Sequence, residues 1–239
     1  MKFAYYLFLT SFLLLSCASK DLLQQNVSKK EYQIGAYLWF QTSGEYRALC
    51  YQAYHLAKLK LDDDLRNKSH RKPHKLRAVV FDIDETVLDN SAGGAYDIKH
   101  NIPWKKENFN RWVSLIAASA VPGAKDFILY ALSKKVEVLF VSNRLDSQKD
   151  DTLEMFKRLE IPAKKENFYF LTDEWSKEKR RMDILSKYHV VLFLGDNLGD
   201  FHKDWDAKKA EDRRALADLH KEDFGEKFIV FPNPLYGDW

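Results

Sequence analysis

The stretch Leu76-Arg77-Ala78-Val79-Val80-Phe81-Asp82-Ile83-Asp84-Glu85-Thr86 decides the fold. Leu76 to Phe81 is a largely apolar run with paired β-branched residues, the signature of a buried parallel strand. Two carboxylates follow at once, although Asp is depleted in strands. In open α/β sheets ligands bind outside the carboxyl ends of the strands, so two acids spaced i, i+2 there stand where chemistry is done. An Asp carboxylate can attack phosphorus and split hydrolysis into two easier steps. A second carboxyl can protonate the leaving oxygen and then deprotonate the attacking water. A divalent cation would offset repulsion between these acids and a phosphate. Taken alone, Asp-x-Asp also fits two solvated residues capping a turn, so the decision falls to the rest of the chain.

Three further stretches follow in order. Val141-Ser142-Asn143-Arg144 ends an apolar strand from Val136 to Val141. Ser176-Lys177-Glu178-Lys179-Arg180-Arg181 opens a helix. Leu194-Gly195-Asp196-Asn197-Leu198-Gly199-Asp200-Phe201 follows a strand from Val190 to Leu194. With Phe81 to Asn90, these resemble the four motifs of the haloacid dehalogenase superfamily. The combination is similar to the class C acid phosphatases, surface lipoproteins of its four-aspartate group. The resemblance extends from Tyr37–Tyr46 to Pro232–Trp239.

It implies an α/β fold: a Rossmann-like, three-layer parallel sheet with a small, mostly helical cap. It implies a phosphomonoesterase in which Asp82 is the nucleophile and Asp84 the general acid and base. Ser142, Asn143 and Lys177 would bind the phosphoryl oxygens, with Lys179 competing for the motif-lysine assignment. Mg²⁺ would be held by Asp82, Asp196 and the backbone carbonyl of Asp84, since an all-oxygen donor set suits that ion. Asp200 would orient Lys177 or a water on the cation. Arg144 either holds its loop or contacts substrate. Tyr96 and Tyr236 would wall the substrate pocket, whereas Trp104 fits a wall and a core position equally. Asp at position 84 separates the chain from P-type ATPases, which carry Thr there, and from dehalogenases, which lack that acid. The implied substrates are small phosphate monoesters such as nucleoside 5′-monophosphates or aryl phosphates. A non-enzymatic surface binder or adhesin on the same fold is the rival, but it would not need the full set of acids, Ser and Lys. A phosphotransferase with the same intermediate would differ only in its acceptor.

Composition agrees with one globular domain. The 239 residues are 46% hydrophobic and 14% aromatic, and the net charge is only +3 with both signs interspersed. A nucleic-acid polymer would call for a basic face, and none stands out. Cys17 and Cys50 make no disulfide framework. The sequence leaves the oligomeric state open, a homodimer included.

Residues 1–16 have the shape of a signal peptide: an early Lys2, then an apolar stretch too short to span a bilayer. Leu14-Leu15-Ser16-Cys17 resembles a lipobox, so Cys17 is the expected lipidation site and 17–30 a tether to a bacterial envelope membrane. Ala18 points to the outer membrane where the cell sorts on that position. The phosphatase domain is expected over 31–239. Helical spacing covers 31–61 and breaks at Ser43-Gly44, ahead of a solvated helix end at Asp62-Asp63-Asp64. His70 and His74 read as surface residues. The cap insertion is expected over roughly 89–121, with a helix near Phe109–Ala118. Pro122 opens a helix to about Ser133, and Asp146 reads as the N-cap of a helix to Leu159. Strands follow at Phe168–Leu171 and Phe228–Phe231, with a surface helix over Asp204–Glu222 and His202 as a neighbour of the site.

Overall fold

The computed structural model describes residues 29–67, 74–206 and 208–239. The signal peptide, Cys17, most of the tether and His70 lie outside the described residues.

Five parallel strands form the central sheet: β1 (Arg77–Phe81), β4 (Glu137–Leu145), β5 (Phe168–Leu171), β6 (His189–Gly195) and β7 (Phe228–Val230). Their order across the sheet is β5-β4-β1-β6-β7. β1 is therefore central, paired with β4 on one side and β6 on the other. Alternation of side chains divides the interior into two layers. Val79, Phe81, Val138, Phe140, Leu192 and Leu194 point into one core, shared with α2 (Gly44–Arg66), α5 (Ala124–Ser133) and α6 (Lys149–Arg158). Ala78, Val80, Leu139, Val141 and Phe193 point into the other, with Ile184 of α7 (Glu178–Lys187) and Trp205. This is the expected three-layer α/β arrangement, and it aligns the carboxyl ends of all five strands.

The N-terminal helices break where expected. α1 (Lys29–Thr42) ends and α2 begins at Ser43, whose Oγ accepts from the Tyr46 N–H at 3.1 Å. α2 outruns its expected end, and Asp64 within it is not solvated: it is buried, accepts from Arg77 Nε, and lies 3.1 Å from His189 Nε2. β2 (Leu88–Asp89) pairs antiparallel with β3 (Ser119–Ala120). The excursion between them carries α3 (Ser91–Lys99) and α4 (Lys106–Ser114), so the helix expected at Phe109–Ala118 starts and ends earlier.

Three other local expectations are corrected. β4 does not stop at Val141 but runs to Leu145, and residues 142–144 fall in a break of its register with β5. Ser142 thus lies in a strand-end bulge. Asp146 caps nothing: it pairs with Lys149, while Gln148 Oε1 accepts from the Leu145 N–H at 2.8 Å. The helix expected over Asp204–Glu222 shrinks to α8 (Ala210–Leu219). Trp205 lies before it in a tight turn, fully buried, while Leu219 is exposed.

Candidate active site

The first motif leaves the sheet in a tight turn. The Asp82 N–H donates to Leu194 O at 2.8 Å, carrying the β1–β6 ladder one residue beyond β1. Ile83 O then accepts from the N–H groups of Val87 and Leu88, both at 2.8 Å. The turn puts Glu85 in the left-handed region, φ 56°. A non-glycine residue there costs on the order of 1–3 kcal/mol and persists where its surroundings over-determine it. Here they do: fully buried Glu85 accepts from the Asn90 N–H at 2.9 Å through Oε1 and from the Tyr236 hydroxyl through Oε2. Burial first, then the charges of Asp84 and Asp196, push its carboxyl well above the ordinary range.

Lys177 stands immediately before α7, and its Nζ reaches back to the acids. It donates to Asp82 Oδ1 and, at 2.6 Å, to Asp200 Oδ1, with all three side chains buried. Lys179 points away and pairs with exposed Asp173 at 3.3 Å, so geometry separates the two lysines. Burial drives the Asp82 carboxyl up to about 7; Lys177 pulls it down, and Asp200 and Asp84 push it up. Burial also works against the charge on Lys177, but Asp200 and Asp82 more than offset it and hold its pKa above the usual lysine value.

Asp84 is held apart from this cluster. Arg144 grips it through Nε, 3.1 and 3.2 Å from the two carboxylate oxygens, and through Nη2 at 2.7 Å from Oδ1. Asn90 Nδ2 adds a bond of 2.8 Å. Arg144 is itself fixed: it is buried, its Nη1 donates to Thr152 Oγ1 at 3.0 Å, and it lies over the Phe109 ring. The bulge around Ser142 is held by Arg180, which donates to Ser142 O at 2.6 Å and Asn143 Oδ1 at 2.7 Å. Ser142 is buried, and its Oγ accepts from the Arg144 N–H.

The fourth motif completes the acid cluster. Carboxylate oxygens of Asp82, Asp196 and Asp200 lie within 4.8 Å of one another. Asp200 folds back to take the Asn197 N–H at 2.9 Å. Gly195 permits this, because a Cβ there would collide with the Asp200 carboxylate. Asp196 accepts from Asn233 Nδ2 at 2.8 Å and Thr86 Oγ1 at 3.3 Å. Its carboxyl is also pushed well above the usual range, by burial and then by Asp200 and Asp82. Three converging carboxylates with one lysine between two of them form an oxygen donor set that fits a hard divalent cation.

On the substrate side the expected aromatics are separate. Tyr96 of α3 is half exposed, its ring 4.0 Å from that of His100. Tyr236 exposes its ring while its hydroxyl is bound to Glu85. Trp104 is 79% exposed, which removes the core-packing alternative. His202 accepts from the Asp204 N–H through Nδ1, which also lies 3.3 Å from the Asp204 carboxylate. Gly93 and Gly94 are seats for other rings: a Cβ on the first would meet Trp112, and on the second Tyr37. Burial, then Glu85 and Asp97, push the Tyr37 hydroxyl up to about 12. The sequence reading assigned no site role to Glu85, Asn90, Arg180 or Asn233. All four lie inside the motif stretches, but nothing in their residue types reveals their partners.

The profile of the HAD superfamily, subfamily IIIB (Acid phosphatase), matches residues 11–239. The chain belongs to this family. Its fold is similar to that of the class C acid phosphatase from Bacillus anthracis with tungstate bound, with 41% identity over 89% of this chain and 88% of that one and a TM-score of 0.83. A second structure of the Bacillus anthracis class C acid phosphatase matches with 41% identity, 88% and 87% coverage and a TM-score of 0.82. The protein is thus an acid phosphatase of the class C type, a phosphomonoesterase acting on small phosphate esters. HAD phosphatases use a divalent metal ion, and the Asp82, Asp196 and Asp200 cluster could bind one.

The raised acids predict a pH signature. Below the ordinary Asp value of 3.8 both folded and unfolded chains hold the Asp82 proton; between there and about 7 only the folded chain does. The cation-free protein therefore loses stability as pH rises through that window. A divalent cation needs these carboxylates ionised, so its stabilising effect grows over the same range. We expect the rise in Tm on adding a divalent cation to be larger near pH 7.5 than near pH 5. A rise of equal size at both values would contradict the protonated cluster.

Proposed function

We propose that the protein is an envelope-anchored, Mg²⁺-dependent phosphomonoesterase that works through an aspartyl-phosphate on Asp82. The reading rests above all on Lys177 bridging Asp82 and Asp200, with Asp84 gripped separately by Arg144. In the first step an Asp82 carboxylate oxygen attacks phosphorus, and the ester oxygen leaves with a proton from Asp84. In the second, Asp84 takes a proton from water as that water attacks the same phosphorus, freeing phosphate and Asp82. The cation, held by Asp82, Asp196 and the backbone carbonyl of Asp84 with Asp200 beside them, would supply positive charge against the phosphoryl oxygens. Lys177 does the same with its ammonium, and the Ser142–Asn143 bulge, held by Arg180, receives the remaining oxygens. The Arg144 grip keeps the Asp84 carboxyl beside the leaving group and leaves its backbone carbonyl to the cation.

The exposed rings of Tyr96, Tyr236 and Trp104 support a substrate whose leaving group is a nucleoside or an aryl group. Asp84→Asn separates the two steps. Release from a nucleoside 5′-monophosphate should slow by roughly 10²–10⁴-fold, since its alkoxide cannot leave without a proton. p-Nitrophenyl phosphate needs no such help, so stopped flow should show one burst of nitrophenolate per site, then slow turnover. Equal slowing of both esters with no burst would count against Asp84 as the acid.

Lipid attachment at Cys17 is supported by the sequence around that residue. Labelling cells with radioactive palmitate should mark the protein, and Cys17→Ser should lose the label. A Cys17→Ser protein that kept it would end this part of the proposal.

A further inference from the structure

The segment Asn233-Pro234-Leu235-Tyr236-Gly237-Asp238 makes three contacts that reach two parts of the site. Asn233 donates to Asp196, Tyr236 donates to Glu85 of the first motif, and Asp238 accepts from Asn197 of the fourth at 3.1 Å. Leu235, buried in the main core, anchors the segment between these contacts. Asn233 is the best determined of the three. Its Oδ1 accepts from the Leu235 N–H at 2.8 Å, which fixes the amide so that Nδ2 faces Asp196 Oδ2, also at 2.8 Å. The other Asp196 oxygen takes the Thr86 hydroxyl. Both oxygens of one acid are thus held by donors outside the cluster, and each keeps a further lone pair.

We propose that Asn233 is a positioning residue for the cation site, and that the C-terminal segment is a strap tying the first and fourth motifs together around it. The inference rests on the reading of Asp196 as a cation ligand. Groups that hold a ligand from behind affect metal affinity by about 10–100-fold, without touching the metal. Burying Leu235 fixes the strap, and the strap fixes the amide, so the order of the acid cluster depends on Asn233 and Leu235.

The test is calorimetric titration of the cation-free full chain with Mg²⁺ alone, comparing the parent, Asn233→Ala, Asn233→Ser and Asp196→Asn. Serine can still accept the Leu235 N–H but is too short to reach Asp196, so it removes the donor and keeps the turn. Both Asn233 variants should bind Mg²⁺ about ten-fold or more weakly, with cooperative unfolding retained. They should need correspondingly more Mg²⁺ for half-maximal phosphatase activity, while kcat at saturating Mg²⁺ stays near the parent's. A merely structural tail would lower kcat or Tm and leave Mg²⁺ affinity alone. If Asp196→Asn loses Mg²⁺ binding while Asn233→Ser binds as tightly as the parent, the positioning role is overturned. If Asp196→Asn itself binds as the parent does, the reading of the cation site falls, and this inference with it.

Discussion

Asp82→Asn should lower phosphate release by about 10⁴- to 10⁶-fold, the range seen when a nucleophile is removed from an otherwise intact site. The substitution keeps the shape of the side chain and the backbone bond to Leu194 O. It removes an oxygen nucleophile and replaces it with an amide that cannot form an acyl phosphate. Stability moves the other way. Asp82 is buried with its carboxyl raised to about 7, so near neutral pH its ionised form opposes folding of the cation-free chain. The variant should therefore melt no lower than the parent without cation, and Lys177 retains Asp200 as its partner. Loss of turnover with an unchanged or raised Tm isolates chemistry from folding. A folded Asp82→Asn variant within 100-fold of the parent would remove the nucleophile from the mechanism.

The second large effect belongs to Lys177. Lys177→Met keeps most of the side-chain volume and removes the ammonium that bridges Asp82 and Asp200. Removing one partner of a buried ion pair leaves an uncompensated charge, which costs about 3–5 kcal/mol. Part of that will be relieved at low pH, where the acids take up protons instead. A divalent cation should recover some of the lost stability, since it neutralises the same oxygens. It should not recover activity, because the lysine charge offered to the phosphoryl oxygens is gone; we expect a loss of about 10²–10³-fold in kcat. Lys179→Met is the comparison, and should change neither quantity, because Lys179 pairs with Asp173 at the surface. Thermal melts with and without cation, beside initial rates, read both effects. Equal losses in the two variants would contradict the assignment of Lys177.

The sequence carried the sheet and the places of the acids because both depend on strong local signals. Runs such as Val79–Phe81 and Leu192–Leu194 have strand composition, and carboxylates at strand ends conflict with folding propensity. Directions of side chains were less legible. Asp62-Asp63-Asp64 looks uniformly solvated, yet Asp64 is drawn inward by Arg77 and His189, residues distant in the chain. Trp205 looks like part of a helical stripe, but its ring fills the second core ahead of the helix, and its indole N–H donates to Arg213 O at 3.3 Å. Arg144 had two readings, and only the buried geometry shows that it holds Asp84. Asn233 was the least visible. An Asn between two prolines reads as a turn, and its partner is 37 residues away at the end of another strand.

The most direct measurement is chemical trapping of the intermediate. The full chain would be mixed with a nucleoside 5′-monophosphate and a divalent cation, quenched within one turnover and reduced with borohydride, which converts an aspartyl-phosphate to homoserine. The expected result, by peptide mass spectrometry, is homoserine at position 82 and at no other aspartate, absent without substrate. Turnover with Asp82 unmodified at every quench time, and phosphate formed at the full rate, would contradict covalent catalysis by this residue.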